Sequence, residues 1–273
     1  MYKKRTRFET LAIYVGLTIA TLFFLLPLLW IFRTSLITKL EAYKIPPNWS
    51  ATLTLENYYN IFNNNPFSSY FLNSFLVALL TTIVSVLFGA MAAYWIARFS
   101  KGNRIKLAIL MTQMIPPVVI VIPLSLIIKT MGLDDSIFAL VTAYLTFNLP
   151  YVIWMLISFF EGIPKELEEA CEIDGCTKLQ AYYKIVLPLA APGAMATSVY
   201  SFIVSWNEFM FALNLTGLKT RTLPVAIANM ETQQGVMIAE LCASTIIAIL
   251  PVIVLSVFIK KYLVNGLTFG SVK

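Results

Sequence analysis

The sequence predicts an all-α membrane protein with six transmembrane helices, and three observations support this prediction. Of its 273 residues, 59% are hydrophobic and only 12% are charged, a composition outside the range of soluble globular domains. Six stretches are long and apolar enough to cross a bilayer, which takes about 20 residues per helix. The Lys and Arg residues stand at the ends of these stretches, which is typical of membrane topology rather than of a nucleic-acid-binding surface.

The first stretch, residues 11–32, follows the basic segment MYKKRTRFET, which superficially resembles the start of a signal peptide. A signal peptide has a shorter apolar region, followed by a small-residue cleavage site. Residues 11–32 are uncharged over 22 positions and no such site follows them. They therefore predict a membrane helix that the mature protein retains.

Five further spans follow along the chain, at residues 70–97, 107–128, 136–160, 190–214 and 241–259. The third span contains Pro116, Pro117 and Pro123. Because each proline lacks a backbone N–H and bends or opens a helix, we expect the third span not to be a straight rod. The six spans make one domain, residues 11–260, between an N-terminal segment of residues 1–10 and a tail at 261–273.

The distribution of basic residues predicts the orientation of these spans. An even number of spans puts both termini on one side of the membrane. Fourteen of the 20 Lys and Arg residues lie on the side that holds the termini, and six lie on the other. The positive-inside rule therefore predicts that both termini are cytoplasmic. The segment 161–188 is then cytoplasmic as well, and the loops 33–69 and 219–239 face outward.

The cytoplasmic segment 161–188 contains six of the 14 carboxylates of the chain, and they are Glu161, Glu166, Glu168, Glu169, Glu172 and Asp174. Pro164 and the acids after it favour the start of a helix, and Asp174-Gly175 favours its end. Thr177 and Gln180 match a capping box, which begins a second helix. We expect Pro188 to stop that helix and Pro192 to begin the return to the membrane.

Two interpretations of this segment are open. It is either a solvated connector or a docking element for another protein. The second fits the charge balance better, because cytoplasmic loops usually carry an excess of Lys and Arg, whereas this one has six acids and three bases. The segment also places small residues where a partner surface could approach, and these are Ala170, Cys171, Gly175 and Cys176.

Several kinds of chemistry are excluded or disfavoured by residue content. The chain has no histidine, which excludes His-based acid–base catalysis and most zinc sites. Its three cysteines, Cys171, Cys176 and Cys242, have no further ligands nearby that would complete a metal site, so we interpret them as small apolar residues. No G-x-x-x-x-G-K-[ST] phosphate-binding loop occurs, so the chain is not itself an ATPase. We expect neither enzymatic activity nor a bound metal.

Glu208 is the one charge predicted to lie inside a span, where a charged group faces the bundle interior or water. It is either a structural partner for a neighbouring polar group or part of a substrate pathway. Trp206 and Asn207 beside it, with Tyr144 and Asn148 in the fourth span, offer the stacking faces and amides that a sugar binds. Aromatic residues in spans more often serve packing, so both interpretations stay open.

The sequence resembles a known family over nearly its whole length, in the order of its spans and loops. The pattern E-A-C-x-x-D-G followed by I-x-L-P resembles the EAA signature of permease subunits of bacterial ATP-binding-cassette (ABC) importers. The matching residues are Glu169, Ala170, Cys171, Asp174, Gly175, Ile185, Leu187 and Pro188. SWNEF (Ser205–Phe209) and the tail KKYLVNGLTFGSVK are similar to the carbohydrate branch of that family, in particular to the smaller permease of maltose and trehalose importers. The chain departs from the pattern at Cys171, Cys176 and Phe269.

The resemblance implies a prokaryotic inner-membrane complex. Its parts are a second permease subunit that forms a heterodimer with this chain, two ATPase subunits that bind ATP and Mg²⁺, and an external sugar-binding protein or lipoprotein. The EAA helix, or coupling helix, would seat in a cleft of the ATPase, with Glu169 paired to a basic residue. Glu161, Glu166, Glu168 and Glu172 would only favour the helix dipole or water. The loop 219–239 would reach toward the binding protein. The tail residues that would contact the ATPase are Gly266, Leu267, Thr268, Gly270 and Lys273.

The resemblance implies a disaccharide or oligosaccharide of the maltose or trehalose type as the substrate. Glycerol phosphate or another polyol is the alternative within the same family. A secondary transporter is the alternative from another class. It would require ion-coupling groups near the middle of the membrane and often internal repeats, whereas this chain has Glu208 toward the outer side and no evident repeat.

Overall fold

A computed structural model describes residues 7–64, 66–100, 102–232 and 235–269. Among the described residues, turns and irregular segments join the helices, and the strands form one antiparallel hairpin with two residues in each strand, β1 (Glu231–Thr232) and β2 (Gly235–Val236). The helices are α1 (Arg7–Ser35), α2 (Lys39–Ala42), α3 (Glu56–Asn64), α4 (Phe67–Phe99), α5 (Arg104–Thr112), α6 (Pro117–Thr130), α7 (Ile137–Glu161), α8 (Glu166–Ile173), α9 (Lys178–Ala181), α10 (Leu187–Trp206), α11 (Met210–Leu215), α12 (Leu223–Ala228) and α13 (Ile238–Phe269).

Within the described residues, five helices are long and apolar enough to cross a membrane. They are Arg7–Ser35, Phe67–Phe99, Ile137–Glu161, Lys178–Trp206 and Ile238–Phe258. A sixth crossing is available if α5 and α6 together make one span. The predicted all-α membrane fold is therefore confirmed; most helix ends lie within a few residues of the predicted bounds, and the fifth helix is shifted toward the N-terminus.

The third span is bent at its prolines. α5 ends at Thr112, α6 begins at Pro117, and the two helices meet at an angle of 80°. Pro117 takes the first position of α6, where its missing N–H would have had no helical partner. Pro116, just before it, has the extended backbone (φ −60°, ψ 133°) that a residue preceding proline favours. The expectation that this span is not straight is confirmed.

The fifth span differs from its predicted bounds of 190–214. The helix runs without a break from Lys178 to Trp206 and then stops, and the short helix α11 follows after Phe209. Pro188 does not end a helix, and Pro192 lies inside α10. A π-helical turn at Tyr182–Val186 leads directly into Pro188. Its wider i→i+5 spacing is the kind of local adjustment that lets a helix pass a proline, whose ring would otherwise clash with the carbonyl four residues earlier.

The chain divides into two units, residues 1–67 with 227–249 and residues 68–226 with 250–273. In the first unit, the connection that follows α1 is folded rather than extended, since it contains α2 and α3. Asn57 on α3 is buried and donates hydrogen bonds of 2.8 Å to the carbonyl oxygens of Ser35 and Ile37. These bonds fasten α3 to the end of α1.

The second unit contains two buried apolar clusters. One joins α4, α6, α7, α11 and α12 and includes Val77, Leu140, Phe211 and Val225. The other joins α4, α7, α10 and the π-helical turn and includes Ala93, Leu156, Phe160 and Val186. This second cluster lies beside the segment 161–188 and positions it.

α7 and α10 pack closely in the second unit because of Gly193. A Cβ atom at this position would lie 2.3 Å from Cγ of Phe159, far inside van der Waals contact. The absence of a side chain at Gly193 therefore allows the Phe159 ring to lie directly on the backbone of α10. Small residues at helix crossings are common in membranes for this reason.

Asp135 anchors the segment between α11 and α12. Its carboxylate accepts hydrogen bonds from the backbone N–H groups of Gly217 (2.9 Å), Lys219 (3.3 Å) and Thr220 (3.0 Å), and from the Thr220 hydroxyl (2.7 Å). Partial burial opposes ionisation, but these four donors outweigh it and lower the pKa of Asp135 to about 2. Asn73 on α4 supports the same segment by donating to the carbonyl oxygens of Lys219 and Arg221.

We expect Asp135→Asn to loosen the segment 217–221. The amide oxygen of Asn can keep some of the hydrogen bonds but loses the charge that strengthens them, a cost of roughly 1 kcal/mol at a partly exposed site. Hydrogen exchange at Gly217, Lys219 and Thr220 should become faster, whereas exchange within α7 should not change.

The same anchor should weaken in acid. The folded-state pKa of Asp135 lies below its ordinary value, so the stabilisation is complete above about pH 4 and is lost as the pH falls toward about 2. Exchange rates of the three amides, corrected for intrinsic pH dependence, should rise over this window in the wild type and stay flat in Asp135→Asn. Equal profiles for the two proteins would contradict the anchor.

Candidate functional site

The candidate site is the segment 161–188, and its central element is α8. Glu166, Glu168 and Glu169 occupy the first turn of α8, where carboxylates interact favourably with the positive end of the helix dipole. The helix has two distinct faces. Glu168 and Cys171, three residues apart, are each only 8% exposed and point into the protein.

The other face of α8 is exposed. Glu166, Glu169, Ala170 and Ile173 follow one another at the i, i+3, i+4, i+7 spacing that places residues on one side of a helix. We call these four residues the outward stripe, because they face away from the body of the chain; the name does not refer to a side of the membrane. Ile173 is 86% exposed, a large value for an isoleucine that points away from the apolar body of the chain.

The buried face of α8 is held by an ion pair. Arg98, near the end of α4, donates from Nε to Glu168 Oε1 at 2.5 Å and from its terminal guanidinium nitrogen to the carbonyl oxygen of Ile163 at 3.0 Å. The Tyr94 hydroxyl donates to Glu168 Oε2 at 2.6 Å. The side chains of Arg98 and Glu168 are only 5% and 11% exposed. We call Tyr94, Arg98 and Glu168 the clasp.

Aromatic packing fixes the geometry of the clasp. The Tyr94 ring lies 4.7 Å from the Tyr182 ring and 5.9 Å from the Phe160 ring, measured between centroids. Tyr182 belongs to the π-helical turn and Phe160 to α7. The Tyr94 hydroxyl is therefore held toward α8 by rings from two other elements.

The clasp corrects the interpretation of the acids. Glu168 does not merely favour the helix dipole or water, because Arg98, distant in sequence, supplies a buried counter-ion. Glu161 likewise forms an ion pair with Lys106 of α5. The position of Arg98 at the end of α4, on the side of the membrane that holds the segment 161–188, was a sequence indication of the clasp. The sequence did not indicate which of the six acids in that segment would pair with Arg98.

The end of α8 is a Schellman motif. The Cys176 N–H donates to the carbonyl oxygen of Cys171 at 2.9 Å, and the Gly175 N–H donates to that of Glu172 at 3.0 Å. Gly175 has φ of 88°, in the left-handed region that favours glycine. The expected helix end at Asp174-Gly175 is therefore present, and Gly175 is the residue that makes the turn possible.

Cys171 and Cys176 are joined by a disulfide across this turn, with their Cα atoms 5.3 Å apart. The interpretation of both as small apolar filler is therefore wrong. The reason is the turn itself, which brings the side chains at these two positions together although they are five residues apart. Cys242, the third cysteine, is a buried free thiol. Among the described residues, no cluster of His, Cys, Asp or Glu could hold a metal ion.

The second helix of the segment begins at the predicted capping box. Gln180 N–H donates to Thr177 Oγ1 at 3.3 Å, and Thr177 N–H donates to Gln180 Oε1 at 2.8 Å. The last three EAA positions lie at or beside the π-helical turn. Ile185 and Leu187 are half-buried, whereas Pro188 is exposed.

The proposed pathway residues come together where α7 faces α10, but most are enclosed. Asn148 is 1% exposed, donates to Ser205 Oγ at 2.8 Å and accepts from Ser201 Oγ at 2.7 Å. Tyr144 and Trp206 are 1% and 2% exposed. Asn148 thus joins α7 to α10, whereas Tyr144 packs against Phe211 of α11 and Trp206 against Phe71 of α4, and all three side chains are enclosed in this conformation.

Glu208 has a structural role in this conformation. Its carboxylate accepts hydrogen bonds from the N–H groups of Phe211 (2.9 Å) and Ala212 (3.1 Å), which caps the start of α11, and it is also hydrogen-bonded to Tyr144. These contacts fit the interpretation of Glu208 as a structural partner, and its place in a substrate pathway stays a prediction. Asn207 is the exposed member of the set and stays a candidate for substrate contact.

The tail residues are described in part. Gly266, Leu267 and Thr268 belong to α13, which continues the last span without a break to Phe269. Gly270 and Lys273 lie outside the described residues. The separate tail expected after residue 260 is thus helical over its first part.

Comparisons with known proteins agree on one family. Residues 85–268 match the family model described as the binding-protein-dependent transport system inner membrane component. The chain is 40% identical to the trehalose transport system permease protein SugB of Mycobacterium tuberculosis, over 91% of this chain and 92% of that one. It is 37% identical to the sulfoquinovosyl glycerol transport system permease protein SmoH of Agrobacterium fabrum, over 91% and 89%.

The fold is similar to that of a solved transporter subunit. A chain in the crystal structure of a bacterial ABC transporter involved in the import of the acidic polysaccharide alginate superposes with a TM-score of 0.77. The superposition covers 96% of this chain and 99% of that one, at 21% sequence identity. At that identity the likeness establishes the shared fold alone.

Arg98→Ala is expected to destabilise the protein strongly. It leaves the Glu168 carboxylate buried without its counter-ion, which typically costs about 3–5 kcal/mol. Thermal unfolding of the purified chain in detergent should show the loss, and hydrogen exchange should place it in residues 163–170.

The matched control replaces both charges, as Arg98→Met with Glu168→Met. Removing both ions avoids an unpaired buried charge, so this double variant should be clearly more stable than Arg98→Ala. If the double variant were as unstable as the single one, the ion pair would not be what holds α8.

Proposed function

The chain belongs to the family of inner-membrane components of binding-protein-dependent transport systems, and we propose that it is the sugar-conducting permease subunit of an ABC importer that engages its ATPase through α8. The observation that carries this proposal is the outward stripe. It lies on a short helix whose opposite face is fixed by the clasp, so a force applied to the stripe reaches α4 directly.

The chemistry of the outward stripe fits a basic, partly apolar cleft. Glu169 supplies a negative charge at its centre, Ala170 lets a partner backbone approach closely, and Ile173 offers an exposed apolar contact. Leu179 and Tyr183, in the next helical segment, are 61% and 50% exposed and extend the apolar part of the surface. Apolar contact residues together with a charged group are typical of protein–protein contacts.

ATP hydrolysis is assigned to partner subunits. The chain has no phosphate-binding loop, so the energy for transport has to come from elsewhere. We place ATP and Mg²⁺ on two ATPase subunits, which would meet α8 and the end of α13. A second permease subunit would complete the pathway and cover apolar surface such as that of α1, where within Arg7–Ser35 only Thr34 and Ser35 are buried.

The proposed orientation puts α8 and both termini in the cytoplasm. It is supported by the excess of Lys and Arg on that side. The segment held by Asp135 and Asn73, which continues into α12, then faces outward. A rigid outward segment suits the docking of an external binding protein, because its shape is already fixed before the partner arrives.

The proposed substrate is a disaccharide-sized glycoside of the trehalose or maltose type. The relatives support this class, since one carries trehalose and another sulfoquinovosyl glycerol in its name. The second of these favours a glycerol-bearing sugar as the alternative substrate. Asn207 is the residue of this chain with which we expect a transported sugar to form hydrogen bonds.

The proposal is tested by reconstituting the chain in liposomes with its second permease, ATPase subunits and binding protein. Trehalose, maltose and a glyceryl glycoside should be compared. We expect ATP hydrolysis to be stimulated by the binding protein together with one sugar class. Sugar uptake without any ATPase subunit would contradict the proposal.

Glu169→Lys is expected to abolish stimulated ATP hydrolysis and sugar uptake while the chain still inserts into the membrane. The substitution places a positive charge against a cleft that we expect to be basic, and like charges in a contact cost several kcal/mol. Co-purification of the ATPase subunits with the tagged permease measures the loss of assembly.

Glu56→Lys is the matched control, because it makes the same charge change at an exposed position in the first turn of α3, in the outward loop. It should leave ATPase binding and hydrolysis close to wild type. Normal transport by Glu169→Lys would show that α8 does not couple through this residue.

A further inference from the structure

We propose that Cys171 and Cys176 form a reversible redox site, whose disulfide locks the turn at the end of the coupling helix α8 and whose reduction releases it. The effect on ATPase coupling rests on the function proposed above. The thiol chemistry itself does not, because it depends only on the turn between α8 and α9.

The turn explains why these two residues can react with each other. In a Schellman motif the side chains at the third-last helical position and at the second residue past the cap lie together, and they usually make an apolar contact. Cys171 and Cys176 occupy these two positions, with the backbone bond from Cys176 N–H to Cys171 O at 2.9 Å. Their Cα separation of 5.3 Å lies within the range of disulfides.

Both redox states are compatible with the same fold. The two backbone hydrogen bonds of the Schellman motif, the left-handed conformation of Gly175 and the capping box at Thr177 involve no sulfur atom. Reduction therefore leaves the turn formed but removes its covalent closure. The two states differ in how easily α8 and α9 move relative to each other, which is the property that a coupling element transmits.

The two cysteines differ in exposure, and this difference decides which sulfur atom an external thiol attacks. Cys171 is 8% exposed and faces the clasp side of α8, whereas Cys176 is partly exposed, next to the exposed Thr177. A small dithiol reductant would attack the Cys176 sulfur as a thiolate, breaking the disulfide and releasing Cys171 as a thiolate, which takes up a proton. The second thiol of the reductant then resolves the mixed disulfide, frees Cys176 and leaves as a cyclic disulfide.

Oxidation is the reverse exchange with a low-molecular-weight disulfide such as oxidised glutathione. The Cys176 thiolate attacks it and releases one small thiol. Cys171 then attacks the mixed disulfide and releases the second. Two protons leave the cysteines, and the two electrons reduce the small disulfide to two thiols. The proposed orientation places this pair in the cytoplasm, where a persistent disulfide is uncommon and those present usually respond to the redox state of the cell.

The chemistry is tested on the purified chain in lipid nanodiscs, without partner subunits. After equilibration in oxidised or reduced glutathione buffers, alkylation and mass spectrometry should show both thiols blocked under oxidising conditions and both labelled under reducing ones. Hydrogen exchange at Gly175, Cys176 and Thr177 should be several-fold faster in the reduced protein. A pair that never closes, or that stays closed in excess reduced glutathione, overturns the proposal.

The consequence is tested on the reconstituted complex. Stimulated ATP hydrolysis should differ severalfold between the two buffers in the wild type and in Cys242→Ser, which removes only the buried free thiol. Cys176→Ser should give one rate in both buffers. If the wild-type rate of stimulated ATP hydrolysis is the same in both buffers, the regulatory role is overturned.

The two proposals fail in distinguishable ways. If no redox state allows stimulation of ATP hydrolysis by the binding protein, the proposed function fails, while the alkylation result still decides the chemistry of the pair. If stimulation is normal but the thiols do not exchange, only the redox site is refuted.

Discussion

The buried ion pair between Arg98 and Glu168 is the contact on which the geometry of the candidate site depends. A carboxylate that leaves water loses several kcal/mol of solvation, so Glu168 is tolerable only where Arg98 and Tyr94 replace that water. This requirement fixes the rotation of α8 about its own axis. With Glu168 turned inward, helical periodicity turns Glu169, Ala170 and Ile173 outward. One electrostatic constraint therefore decides both how α8 is attached and which surface it presents.

The same contacts connect α8 to the long helix α4. Arg98 lies at the end of α4, a 33-residue helix, and its guanidinium also holds the carbonyl oxygen of Ile163, just before α8. Tyr94 is packed between rings from α7 and the π-helical turn. A displacement of α8 therefore acts on several long helices together rather than on a flexible loop. The disulfide across the turn at Gly175 adds a second connection, toward α9, and this connection is the one that chemistry can open.

The breaks in the helices follow from the cost of unsatisfied backbone groups in an apolar environment. At Pro116-Pro117 the chain turns through 80° and begins a new helix, which places a proline where no N–H is needed. At Pro188 it instead widens into a π-helical turn and continues. Both solutions avoid a clash, but they have opposite consequences: the third span is divided, whereas the fifth is extended into the candidate site as far as Lys178.

The sequence by itself determined the membrane fold, the bent third span, the helix end at Gly175 and the capping box at Thr177. These features depend on composition or on residues within one turn of each other, so local physics decides them. Only the tertiary structure decided that Glu168 is buried against Arg98, that Tyr144, Asn148 and Trp206 are enclosed, that Pro188 does not end a helix, and that Cys171 and Cys176 are joined. Burial and ion pairing depend on which distant elements pack together, so the sequence did not distinguish Glu168 from the other five acids. The π-helical turn before Pro188 and the pairing of the two cysteines are local, but they depend on the backbone and side-chain geometry adopted there, which residue types alone do not give.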